Sequence, residues 1–140
     1  MAASAPPGLA AYQSAKWAVG GFSTVLSQEV APFGVKVTVL EPGGMRTDWA
    51  GSSMTIPPVS EPYQQTVGQM AELMRGASGS EPTDTDKVAG LIETVYALEE
   101  PPVRLLVGSD AFQYATGVAQ QQAASDEAHQ ELTLSVGFDN

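Results

Sequence analysis

Pro32-Phe33-Gly34-Val35-Lys36-Val37-Thr38-Val39-Leu40-Glu41-Pro42-Gly43-Gly44 is the stretch that decides the fold. It opens with a helix stop, because proline cannot continue a helix and Gly34 suits the left-handed cap position. The residues from Val35 to Leu40 follow at once. They are apolar and rich in β-branched side chains, which predicts a strand over 35–40. Glu41-Pro42-Gly43-Gly44 then breaks that strand sharply. Working upstream, Val19, Phe22, Leu26 and Val30 recur at three- and four-residue steps. That spacing lays one apolar stripe along a helix expected over 10–33. Gly20-Gly21 inside it costs about 1 kcal/mol per glycine relative to alanine. Glycine kept at such a cost points to the close approach of another backbone.

Working downstream, residues 45–62 form a long irregular stretch with Trp49, Met54, Pro57 and Pro58. Loops of that length more often serve as lids or binding loops than as plain connectors. A helical pattern follows, with Val67, Met70, Leu73 and Met74 on its apolar positions, so 45–80 reads as a loop and a helix. A further helix is expected over 83–98, with Thr83 or Thr85 as its N-cap. Val103-Arg104-Leu105-Leu106-Val107 reads as a second strand over 103–107, and 111–124 as the next helix. A leading loop over 1–9 and a polar, acidic tail over 125–140 flank these elements. Strands separated by helices make an α/β chain with a parallel sheet. Two strands are too few for such a sheet to cover both faces. The expected fold is therefore part of a larger doubly wound sheet.

The 140 residues suffice for one domain, and 43% of them are apolar, as in an ordinary globular protein. Sixteen acidic and six basic residues give a formal charge of −10, which argues against binding a phosphate backbone. The chain has no cysteine, so disulfides and thiolate metal sites are excluded. No apolar run is long enough to span a bilayer, and Met1 to Ala11 lacks a basic start with an apolar core. The expectation is a cytoplasmic protein without membrane, nucleic-acid or metal partners. The scattered acids, such as Glu81, Asp84 and Asp86, match no oxygen-ligand loop and read as solvated surface.

Tyr12 and Lys16 stand four residues apart near the start of the first helix, which sets them on one face. A free phenol titrates at about 10 and does little proton chemistry at neutral pH. An ammonium fixed beside it favours the phenolate. The pair can thus form a general acid/base from residues that are inert alone. Tyr and Lys at this spacing also occur on plain helix surfaces, so the pair by itself decides nothing.

Tyr12-Gln13-Ser14-Ala15-Lys16-Trp17-Ala18-Val19-Gly20-Gly21-Phe22 closely resembles the active-site helix of classical short-chain dehydrogenases/reductases. Pro42-Gly43-Gly44-Met45-Arg46-Thr47 is similar to that family's Pro-Gly turn, and Arg104-Leu105-Leu106-Val107-Gly108-Ser109-Asp110-Ala111 to its last strand and following turn. The three matches come in family order and cover about 9–115. The resemblance implies a Rossmann-type fold, of which this chain would be the C-terminal half. It implies an NAD- or NADP-dependent hydride transfer on an alcohol or carbonyl. Tyr12 would be the acid/base, and Lys16 would support it and bond the nicotinamide ribose. Pro42, Gly43, Gly44, Met45 and Thr47 would line the cofactor. Gly43 would let the backbone come close to the nicotinamide. Trp49 and Met54 would belong to the substrate loop. The resemblance also implies a homo-oligomer.

Several family parts are missing from these residues. No Gly-x-Gly-x-x-Gly turn occurs, and with it goes the residue that chooses between NAD and NADP. The family's catalytic Ser and Asn lie upstream of anything present, and Ser4 stands too close to Tyr12 to replace the Ser. Glu41 and Gly20 depart from the pattern. The first expectation is therefore an oxidoreductase by family whose isolated 140 residues do not turn over. The alternative is a non-catalytic fragment that acts through association, since a half-domain exposes a strand edge and apolar faces. A hydrolase reading falls on the absence of a Gly-x-Ser-x-Gly elbow and on His129 lying in the polar tail.

Overall fold

Residues 6–138 are described by the computed structural model; Ser4 and the rest of 1–5 lie outside them, as do 139–140. Helix α1 spans Ala10–Val30 and closes through a 3-10 turn, Ala31–Phe33. Gly34 follows at φ +73°, its N–H donating to the Ala31 carbonyl. Strand β1 is Val39–Pro42, and after a long loop come a 3-10 turn, Glu61–Tyr63, and a π-helical turn, Gln64–Gly68. These lead into α2, Gln69–Ala77, then α3, Thr85–Tyr96, and β2, Arg104–Val107. The chain ends in α4, Ser109–Ala128, and a short α5, Gln130–Leu134. The architecture is α/β and helix-rich, with a two-stranded parallel sheet in the order β1-β2.

The first strand runs over 39–42, not the expected 35–40. The reason lies in its partner. The register pairs Val39 with Arg104 and Pro42 with Val107, so residues 36 and 37 would face Pro101 and Pro102. Proline has no N–H to give a ladder, and pairing stops there. The end of this open stretch is tied instead by an ion pair, Lys36 to Glu100 at 2.7 Å.

Helix α3 is capped by Asp84 rather than by Thr83 or Thr85: its carboxylate accepts from the N–H groups of Asp86 and Lys87. The backbone of Thr83 is committed elsewhere, donating to the Gly44 carbonyl and accepting from Arg46 N–H. Helix α4 starts two residues before the expected 111 and runs on to Ala128, through the first part of the stretch expected as a loose tail. Gln120, Gln121, Gln122, Ala123 and Ala124 are good helix formers, and nothing in them stops a helix already begun.

The buried apolar core is small. Among the described residues it consists of Val95, Val107, Ala111 and Ala115, around β2 and the start of α4. The accessible surface is 10354 Å², whereas a compact monomer of this mass exposes about 6900 Å². Much of the excess is apolar. Phe22 is 67% exposed, Val25 56%, Phe112 61% and Leu73 66%. The stripe read on α1 is thus only partly covered. The close backbone approach expected at Gly20-Gly21 is not made either, because a Cβ at either position would meet nothing within 4 Å.

Candidate active site

Helix α1 brings Tyr12 and Lys16 to one face, one turn apart, as the i, i+4 spacing requires. The Lys16 ammonium lies 5.5 Å from the centroid of the Tyr12 ring, close enough for the ring's negative face to attract it. The Tyr12 ring also meets Trp49, with centroids 5.6 Å apart and planes tilted by 46°. Tilted aromatic pairs at this distance are favourable beyond their buried area. Tyr12 therefore contacts both a cation on its own helix and an indole from the 45–62 loop.

These residues open onto a cleft of about 410 Å³. Tyr12, Lys16, Pro42, Gly43, Gly44, Met45, Thr47 and Trp49 all line it. Met54 does not; it lies half-buried outside the lining. Sequence reasoning missed Val19, Ala50, Met74 and Ala77, which make much of the wall apolar, and Glu81 at its edge. Met74 was legible on a helix face, whereas Ala77 read as part of a flexible break; only the fold, with α2 running to Ala77, sets both on the cleft.

The 42–47 turn is fixed from three directions. Gly43 N–H donates to the Val107 carbonyl at 2.9 Å, continuing the ladder past the end of β1. A parallel bridge between Met45 and Thr83 ties its middle to the residue before the α3 cap. Gly44 N–H donates to the Asp110 carboxylate at 2.7 Å, a part-buried bond across 66 residues. Arg46 adds a bond from its guanidinium to the Glu81 carbonyl at 3.2 Å.

Glu41 finds its explanation here. Its buried carboxylate accepts from Arg104, at 2.8 Å from Nε and 2.7 Å from Nη2. Residues 39 and 41 share a face, and Arg104 stands opposite Val39, so the pair is a diagonal neighbour across the parallel strands. The Glu41 hydrogen bond holds the Arg104 guanidinium above its ordinary pKa, against the opposing pull of partial burial. A raised folded value means that deprotonation of Arg104 removes this contribution only in strong alkali, above the ordinary arginine range. Further along, the Asp48 carboxylate accepts from Ser52 and Ser53. The Ser52 bond leads in holding that exposed carboxyl below its usual value.

Among the described residues no group of three His, Asp or Glu side chains is placed to hold a metal ion, and no helix is long and apolar enough to cross a membrane. His129, at the junction of α4 and α5, bonds the Ser125 carbonyl and takes no part in the cleft.

A family model described as short chain dehydrogenase matches residues 1–55. The chain is 64% identical over 129 residues to the oxidoreductase BOA17 of Botryotinia fuckeliana, covering 92% of this chain and 47% of that protein. It is 30% identical over 135 residues to an oxidoreductase of Schizosaccharomyces pombe, covering 96% of this chain and 46% of that one. The structure superposes on a short-chain dehydrogenase from Streptomyces avermitilis with a TM-score of 0.83 and 29% identity, over 98% of this chain and 49% of that chain. The chain thus spans about half the length of the curated relatives it matches.

Proposed function

The chain belongs to the short-chain dehydrogenase family, and on that premise we propose that it carries the proton-transfer and nicotinamide-side part of an NAD- or NADP-dependent oxidoreductase acting on an apolar alcohol or carbonyl. The observation that carries this reading is the convergence of Tyr12, Lys16 and the 42–47 turn on one cleft. When bound, the nicotinamide supplies or accepts the hydride. The chain's own residues do the rest. The Tyr12 hydroxyl gives a proton to the substrate oxygen in reduction and takes it back in oxidation. The Lys16 ammonium stands beside that ring and offers donors to ribose hydroxyls. The Thr47 hydroxyl is available on the lining for an amide group. Donors from Tyr12, Lys16 and Thr47 around a largely apolar cleft suit the nicotinamide end of such a cofactor. Trp49, Met74 and Ala77 exclude water and favour an apolar substrate.

The pyrophosphate has no seat here. The 140 residues contain no Gly-rich phosphate turn, and cofactor affinity depends on one. The isolated chain is therefore expected to show no turnover. A joined protein, made by adding the portion of the Botryotinia relative that this chain does not cover, is expected to oxidise or reduce its substrate with one of the two cofactors. The test compares both proteins by nicotinamide absorbance across apolar alcohols and carbonyls. An inactive joined protein with native-like folding sinks the reading, and normal turnover by the 140 residues alone sinks the claim of inactivity.

A second reading has its own observation, the exposed apolar side chains of α1 and α4. On it the chain acts as a non-catalytic association module. Oligomers in light scattering without any response to NADH or NADPH favour this reading; a monomer with a saturable cofactor signal favours the first.

A further inference from the structure

We infer that Asp110 is the positioning residue of the 42–47 turn, and that Gly43 is glycine because Asp110 fills the space a side chain there would need. What the turn is positioned for rests on the proposed function; the positioning itself does not.

Asp110 sits in the first turn of α4, where the unpaired helix amides favour a carboxylate. One of its oxygens accepts the Gly44 N–H at 2.7 Å. A bond to an ionised acceptor is shorter and roughly twice as strong as a neutral one. A Cβ built on Gly43 would land on the same carboxylate, and on no other group nearer to it. Asp110 Oδ1 is buried without a hydrogen-bond partner among the described groups, as is the Thr83 hydroxyl. A Cβ on Gly108 would come within 2.9 Å of Asp110 Oδ1. At φ +103°, Gly108 has a backbone that favours glycine in any case. The carboxylate thus fills the space beside two glycines, and the Thr83 side chain crowds Gly108 as well. Gly43 thus has an internal reason to be glycine, whatever approaches it from the cleft: it makes room for the group that holds Gly44.

Amide hydrogen exchange in the ¹⁵N-labelled 140-residue chain, without cofactor, tests this. Asp110→Ala is expected to speed Gly44 exchange about ten- to hundred-fold, the effect of losing one hydrogen bond to a charged group. The buried Ala115 amide should stay unchanged as a control for global opening. Asp110→Asn keeps an acceptor oxygen in place and should largely restore Gly44 protection, while moving its amide proton upfield because a neutral acceptor bonds less strongly. Gly43→Ala should expose Gly44 as Asp110→Ala does, and the double substitution should be no worse than either alone. Gly44 protection that survives Asp110→Ala overturns the inference, and so do additive effects of the two substitutions. Where either truncation fails to fold, the Asp110→Asn proton shift decides, and an unmoved proton counts against the clamp. A joined protein that never responds to NADH or NADPH while this exchange pattern holds removes the proposed function and leaves the clamp standing.

Discussion

The 42–47 turn and the outer face of α1 belong to one short chain, yet they are finished to different degrees. The turn is closed by bonds from β2, the stretch before α3 and the start of α4, all supplied by these residues. The outer face of α1 carries Phe22 and Val25 more than half exposed, and glycines with nothing beside them. The difference separates two kinds of sequence information. Polar bonds at the site are satisfied from within the chain. The apolar faces of α1 remain largely exposed, without the gain that burial would bring.

The largest test of that comparison lies at the site. In the joined protein, Tyr12→Phe should lower turnover by about 10²- to 10⁴-fold, the usual worth of a positioned acid/base, with little change in cofactor affinity. Phe22→Ser in the same protein should leave the chemistry alone. Retained turnover in Tyr12→Phe would move proton transfer to another group.

A smaller effect probes the other region, and here context decides the size. In the 140-residue chain Phe22→Ala should change stability by under about 0.5 kcal/mol, as for an exposed position. In the joined protein the same change should cost about 3 kcal/mol if α1 becomes buried. Urea unfolding of both proteins measures this. Equal small values would mean that the face is ordinary surface.

Arg104→Ala should cost about 1 kcal/mol in either protein, because it leaves the buried Glu41 carboxylate without its partner while Arg104 itself is half exposed. Urea midpoints report it, and a strong dependence on context would break the claim that this part of the sheet is complete.

The smallest effect is in pH. The Asp48 carboxyl is held below its ordinary value by Ser52. Its bonds are therefore present at neutral pH and vanish only as pH falls below the usual carboxylate range. Trp49 fluorescence should be constant across neutral pH and change only in acid, and Asp48→Asn should remove that acid transition.

How far the sequence could be read follows the same division. The helix at 10–30 was legible because its stripe is local, and so was the Tyr12–Lys16 face. The start of β1 was not, because it depends on Pro101 and Pro102 some sixty residues away. Asp84 was overlooked as a cap beside two threonines, although aspartate caps as well as either. Glu41 looked like an unexplained departure until the register set Arg104 beside it. Asp110 could have been found from its place just after Gly108-Ser109, where an acid at a helix start signals a bond to nearby amides. That the bonded amide would be Gly44 was beyond any local pattern.

Gly20 and Gly21 also bear on motion. They sit mid-way along α1 with no other element packed where a side chain would be, in residues that order at greater entropic cost than any other. The helix should therefore open there first, as a sub-global unfolding step separate from the turn that carries Tyr12 and Lys16. A chain of this kind can hold its chemistry-bearing end ordered while the far end of the same helix breathes.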